Sequence, residues 1–242
     1  MPEDDLSIGF RFSRREWESA RLTPQLARDN PNLYKVKLIN SLGFEREGQI
    51  FGGHSKKVWE YLVSSGTFDF GSIQLDPDSF VSYSRSSERV IQLGAAPIPA
   101  ELKGQILFDD AAFGREEEAL YRFSHEVSHP FAAELATKDQ RVDNIYRTAY
   151  TARNHGSGRG FSGLGSLDFY KSRGPEVQAK EDATELVNMY LWNEDYFDRF
   201  LIFLSDPRYA EERENAGLVA MDQVSGDRLK RIIVEAVSRL IA

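Results

Sequence analysis

The chain of 242 residues contains no cysteine. This absence excludes disulfide bonds, thiolate zinc sites, iron–sulfur clusters and cysteine nucleophiles. Histidine is scarce as well, with four residues in the whole sequence. Any metal chemistry therefore has to come from a few imidazole groups together with carboxylates.

Long apolar runs and an excess of basic residues are also missing. No run of 18 or more apolar residues occurs, so we expect no membrane-spanning segment. The first residues are acidic and lead into no apolar stretch, so we expect no signal peptide and a cytoplasmic location. With 30 basic against 38 acidic residues the net charge is −8, and no aromatic–basic motif is present. The sequence therefore does not favour nucleic acid as a partner.

The spacing of the apolar residues predicts an α+β fold whose sheet is confined to the N-terminal half. Ser13 with Glu16, and Asn30 with Pro31, are typical of helix starts. Short apolar runs between residues 67 and 109 predict a small sheet, mixed or antiparallel, with an edge strand at 105–108.

The second half is predicted to be mainly helical. Helices are expected over about 115–135, 139–152 and 175–191, and the last helix carries an apolar stripe from Leu229 to Leu240. Six glycines between 153 and 174 predict a long loop there, which could act as a mobile lid.

The segment His125-Glu126-Val127-Ser128-His129 carries the clearest chemical signal. Two histidines four positions apart lie on one face of a helix, so their imidazoles can converge on one ion. Glu126 follows the first histidine and can reach a water on that ion without binding the metal. This is the H-E-x-x-H signature of zinc peptidases, in which the carboxylate acts as general base.

The helix that carries this motif is predicted to be buried along one side. Apolar residues fall at helical spacing beside the histidines, at Leu120, Phe123, Val127 and Phe131. Pro130 follows the second histidine and cannot donate a hydrogen bond to the carbonyl of Glu126. We therefore expect a kink in the helix after both histidines.

A catalytic zinc site needs a third protein ligand. Glu181, Glu185 and Asn188 share one face of the helix predicted at 175–191. We expect Glu181 to be the ligand and Glu185 to accept a hydrogen bond from the free N–H of a ligating histidine. The simpler interpretation of this segment is an acidic helix face in contact with solvent.

Other residues remain candidates for the site. Glu185 could be the third metal ligand in place of Glu181. Asp168 is another candidate for the third ligand, because it lies in a segment similar to the aspzincin pattern, in which an aspartate binds the metal. His155 could be a ligand, or it could donate a hydrogen bond to the oxyanion of a tetrahedral intermediate, as could Tyr150 or Tyr170. The position at which a metzincin has its third histidine is Leu135, which excludes that class.

The motif and the later acidic helix together resemble the gluzincin metallopeptidases. Their pattern is H-E-x-x-H followed by a downstream glutamate ligand. The resemblance implies one zinc ion held by His125, His129 and Glu181, with Glu126 as general base.

The same resemblance implies a zincin-like architecture. Residues 1–136 would form an N-terminal subdomain that contains the sheet and, at its end, the motif helix. Residues 137–242 would form a helical C-terminal subdomain that supplies the third ligand, so that both parts make one catalytic unit.

The activity implied is hydrolysis of peptide bonds in a peptide or protein substrate. The alternative is a binding or regulatory protein that keeps a zincin fold but cleaves nothing. The presence of Glu126 favours the enzyme, because a protein that only binds metal does not need a general base at that position.

Overall fold

The structure is a computed structural model. It describes residues 10, 12–43, 45–46, 49–50, 53–79, 81–94, 115–155, 159–162 and 168–242. The edge strand predicted at 105–108 and the side chains of His155 and Asp168 lie outside this description.

Short helices with polar caps precede the sheet. Helix α1 (Arg14–Ser19) starts with the predicted capping box, in which the Ser13 hydroxyl accepts the N–H of Glu16 and the Glu16 carboxylate accepts the N–H of Ser13. Helices α2 (Pro24–Asp29) and α3 (Pro31–Asn40) each begin with proline, where the missing N–H leaves no hydrogen bond unmade. The predicted starts at Ser13 and Asn30 are therefore confirmed.

A small mixed sheet follows the fourth helix. In chain order the elements are β1 (Glu45–Arg46), β2 (Gln49–Ile50), α4 (Gly53–Ser64), β3 (Ile73–Asp76), β4 (Tyr83–Arg85) and β5 (Val90–Gly94). Strands β1 and β2 form an antiparallel pair. In the other sheet β5 lies in the centre, parallel to β3 and antiparallel to β4. Of the two predicted alternatives, a mixed sheet is confirmed and a purely antiparallel one is wrong. Strands β3 and β4 form the two edges, and β5 then enters between them, parallel to β3 and antiparallel to β4.

The rest of the described chain is helical. The elements are α5 (Arg115–Lys138), α6 (Gln140–His155), α7 (Asp168–Lys171), α8 (Pro175–Trp192), α9 (Glu194–Ser205), α10 (Ala210–Asn215) and α11 (Gln223–Ile241). Before α8, Gly174 adopts a φ of 90°, a backbone conformation that glycine tolerates best, and Pro175 then takes the first helical position. None of these described helices combines the length and the apolar character that crossing a bilayer demands.

Two of these elements differ from the sequence-based expectation. Helix α5 extends to Lys138, slightly beyond the predicted end near 135, with Pro130 inside it; the kink expected at this proline stays a prediction. Helix α6 extends through Arg153 to His155, so the predicted loop begins later than expected. In the described part of this loop, Arg159, Gly160 and Ser162 are hydrogen-bonded to other parts of the chain; a lid function of the loop stays a prediction.

The described chain divides into two compact units inside α5, at Pro130. The first unit contains the N-terminal helices, the sheet and the first part of α5, and Leu38, Trp59 and Ile91 are among its buried residues. In the second unit α8 is the central element, because α6, α9 and α11 all pack against it. Thirteen residues of α8 are buried, which makes it the least exposed of the long helices.

Gly94, at the end of β5, provides a test of the sheet. A Cβ atom at this position would lie 2.6 Å from the carbonyl oxygen of Ser79 and 2.8 Å from that of Val81, and backbone atoms cannot rotate away. We expect Gly94→Ala to lower the free energy of unfolding by about 1–3 kcal/mol, measured by urea denaturation.

The matched control is Gly226→Ala, in the first turns of α11. The nearest atom to a Cβ there is the Cβ of Leu201 at 4.0 Å, an ordinary contact. Because alanine favours helix over glycine, this variant should gain up to about 1 kcal/mol. Equal stability of Gly94→Ala and the wild type would contradict the close approach of β5 to the backbone of Ser79 and Val81.

Candidate metal centre

The motif residues lie on the interior side of α5. His125 and Glu126 are buried, with exposed fractions of 5% and 4%, and His129 is half-buried. The two imidazole rings stand edge to face, with their centroids 4.8 Å apart and their planes at 90°. One helical turn therefore brings both rings to the same side, as the spacing predicts.

An apolar stripe fixes the orientation of α5. Its predicted members are all buried: Leu120, Phe123, Val127 and Phe131. The ring of Trp59 on α4 packs against Phe123, with 5.4 Å between the centroids. Burial of this stripe turns the adjacent histidine face inward as well.

Small polar residues join α4 to α5 beside the first histidine. The hydroxyl oxygens of Ser55 and Ser124 are 2.8 Å apart, and both residues are fully buried. One turn later the Ser128 hydroxyl donates to the carbonyl oxygen of Ser124 at 2.6 Å. Ser124 and Ser128 each precede a motif histidine, so these bonds hold the backbone next to both imidazoles.

A half-buried arginine links the motif helix to the sheet. Arg122 donates from Nη1 to the carbonyl oxygen of Gly94 at 3.0 Å. Burial lowers the pKa of the Arg122 guanidinium, while the nearby carboxylates of Glu118 and Glu126 act in the opposite direction. The carboxylate of Glu126, which the motif predicts to be the general base, therefore lies about one turn from the charge of Arg122.

Glu181 completes a group of metal-binding side chains. It lies on α8 and is buried, with 7% of its surface exposed. One ligand atom from each of His125, His129 and Glu181 lies within 4.8 Å of the other two. Among the residues that the structure describes, this is a cluster that could hold a metal ion.

The donor set fits zinc. Zinc binds imidazole nitrogen and carboxylate oxygen at about 2.0–2.2 Å, which places tetrahedral donors about 3.4 Å apart. The ligand atoms of the cluster lie within 4.8 Å of one another, so side-chain rotation would have to bring them to that spacing when a metal ion binds. Two imidazoles and one carboxylate also leave the fourth position open, as catalytic zinc sites require.

Glu185 lies one turn beyond Glu181 and is buried too, with 1% of its surface exposed. The interpretation of this face as solvated is therefore wrong, and Asn188 at its end is also buried. Within the described chain Glu185 does not belong to the metal-binding cluster. Its predicted hydrogen bond to a ligating histidine stays a prediction.

The sequence analysis missed two residues close to this part of α8. Burial and, to a smaller extent, the carboxylate of Glu185 raise the pKa of Tyr196 far above its ordinary value, so this phenol on α9 stays protonated. Asp182, next to Glu181, is fully buried and forms an ion pair with Arg153. The signal in the sequence for this pair is Arg153 ahead of the glycine-rich segment, but glycine content places Arg153 in the predicted loop, whereas it belongs to helix α6.

The remaining candidates for the site are His155, Asp168, Tyr150 and Tyr170. His155 is the last residue of α6 and Asp168 the first of α7, and the side chains of both lie outside the description. Tyr150 and Tyr170 are half-buried. Their roles as ligand or oxyanion donor stay predictions.

The chain was compared with protein-family models, with curated proteins and with solved structures, and none of them matches it. The geometry of the His125, His129 and Glu181 cluster, with a buried carboxylate at Glu126, is therefore what indicates a function.

Proposed function

We propose that the protein is a zinc-dependent metallopeptidase. The observation that carries this proposal is the convergence of His125, His129 and Glu181, with Glu126 buried directly after the first histidine. The three converging side chains would hold the ion, and Glu126 would supply the proton-transfer chemistry.

Zinc in such a site acts as a Lewis acid, which acidifies water and polarises the carbonyl group of a substrate. The carboxylate of Glu126 accepts a proton from the attacking water and later delivers it to the leaving amine. Burial of Glu126 keeps this carboxylate away from bulk solvent, and the Arg122 guanidinium lies about one turn away on the same helix. The substrate is a peptide or protein, because an amide carbonyl is the group that this arrangement is suited to attack.

Two histidines and one carboxylate also occur around non-haem iron in oxygenases. Such a site has no need of a carboxylate next to its first histidine. The buried Glu126 therefore favours hydrolysis and zinc. The alternative of a zincin-like binding protein without activity shares the metal ligands and differs only in whether peptides are cleaved.

The proposed zinc ligands can be tested by replacing His129 and Glu181, with the exposed Glu176 on the same helix as Glu181 serving as control. We expect one zinc per chain in the wild type, no retained zinc in His129→Ala, and at least about tenfold weaker binding in Glu181→Gln, since a ligand is lost. The control is Glu176→Gln, whose side chain is exposed and forms an ion pair with Lys180 at 3.4 Å. Elemental analysis after dialysis and competition with a chromophoric chelator measure both quantities.

Zinc should also stabilise the folded protein. At free zinc one hundred times the Kd, the free energy of unfolding should rise by about 2.7 kcal/mol in the wild type and in Glu176→Gln. His129→Ala should show no such rise. A wild type without stoichiometric zinc, or with iron in its place, would overturn the proposed metal.

The general base is tested by Glu126→Gln. This variant should retain zinc but lose at least about 100-fold of the rate of peptide hydrolysis, because the amide cannot accept the proton. Glu134→Gln, on the same helix two turns later, should keep wild-type activity. The measurement is cleavage of a mixed peptide library by zinc-loaded protein, followed by mass spectrometry. A zinc-loaded wild type that cleaves nothing would favour the binding-protein alternative.

A further inference from the structure

An ion pair is completely buried between α6 and α8. Arg153 donates from Nε to Oδ2 of Asp182 at 2.9 Å and from Nη2 to Oδ1 at 2.8 Å. The exposed fractions of the two side chains are 1% and 0%. The two residues are 29 positions apart, so the pair joins the end of one helix to the middle of another.

The loop after α6 closes this pair from a third side. The backbone N–H and the hydroxyl of Ser162 both donate to Oδ1 of Asp182 at 3.0 Å, and Arg153 Nη2 also donates to the Ser162 carbonyl at 3.2 Å. A Cβ atom at Gly160 would collide with the Asp182 carboxylate and the Arg153 guanidinium. Only glycine therefore allows the loop to lie against the pair.

Stability alone does not account for such a pair. Replacing a buried ion pair by apolar residues of similar volume is often neutral or stabilising, because the charges no longer have to be desolvated. What the charged pair provides instead is a fixed orientation of the Asp182 side chain. Bidentate hydrogen bonds from the arginine and two further donated bonds can be formed only when the carboxylate has one placement.

That direction matters because Asp182 directly follows the metal ligand Glu181. Successive side chains on a helix are about 100° apart around its axis, so fixing the carboxylate of one residue fixes the direction of its neighbour. A metal or catalytic site needs its groups placed within about 0.5 Å and 10–20°. Glu181 has to meet two imidazoles on a different helix, which makes the rotation of α8 critical.

We propose that Arg153 and Asp182 are positioning residues for Glu181. The pair sets the rotation of α8, and Ser162 and Gly160 hold the pair in a single geometry. This inference rests on the proposed function, in which Glu181 binds zinc.

The experiment measures zinc affinity and the ligand field of the site in variants of the full chain. Asp182→Asn removes the charge, and Gly160→Ala displaces the pair. The double variant Arg153→Met with Asp182→Leu replaces the pair by apolar side chains and avoids leaving one buried charge alone. The control is Arg159→Ala, which removes an exposed ion pair with Glu214 from the same loop.

In all three test variants we expect zinc binding to weaken about 10- to 100-fold, the range typical for residues that orient a metal ligand. The visible absorption spectrum of the cobalt-substituted protein should change as well, because the coordination geometry is altered. The urea midpoint of the double variant should stay close to the wild type. Arg159→Ala should match the wild type in every measurement.

Two outcomes overturn the inference while the proposed function stands. In the first, the wild type binds zinc and cleaves peptides, and the folded double variant has the same zinc affinity and cobalt spectrum. In the second, none of the test variants folds, which makes the pair a stability element. If the wild type itself binds no zinc, the proposed function fails and this inference fails with it.

Discussion

A carboxylate taken out of water costs several kcal/mol unless a cation, hydrogen-bond donors or a metal compensates the loss of hydration. Helix α8 places Glu181, Asp182 and Glu185 in the protein interior within five consecutive positions. The surrounding structure has to meet this cost at each of them. For Asp182 the compensation is complete in the described chain, through Arg153 and Ser162. For Glu181 it is the approach of two histidines, which also makes a site for a cation.

This constraint explains why distant parts of the second unit are arranged as they are. The end of α6 has to supply Arg153, and the following loop has to bring Ser162 within hydrogen-bond distance. The loop can come this close because residue 160 is glycine. Two backbone hydrogen bonds hold Gly160 in place: its N–H donates to the carbonyl oxygen of Gly217, and its carbonyl oxygen accepts the N–H of Val219. A segment that looks like a flexible connection by its glycine content is therefore anchored in its described part.

The features that could be predicted from the sequence are those set by near neighbours in the chain. The capping box at Ser13, the start of α8 at Pro175 and the common face of His125 and His129 all depend on residues within one or two turns. The parallel pairing of β3 with β5 and the ion pair of Asp182 depend on residues far apart, about which periodicity says nothing. The acidic residues of α8 suggested a solvated face because charges usually lie on the outer side of an amphipathic helix. That rule fails where buried partners compensate the charge, as they do here for Asp182.

The same failure of the rule points to function. Sequences depart from the simplest fold-forming pattern mainly where a site requires it, and the cost is met by other parts of the fold. A leucine at position 181 or 185 would be cheaper to bury than a glutamate and would fit the apolar interior around α8. Glu181, with a carboxylate oxygen within 4.8 Å of ligand atoms of two histidines, instead belongs to a group that could hold a metal ion. In such a site the free energy of metal binding becomes part of the free energy of folding, because the unfolded chain does not preform the cluster. Folding and catalysis would then depend on the same placement of α8.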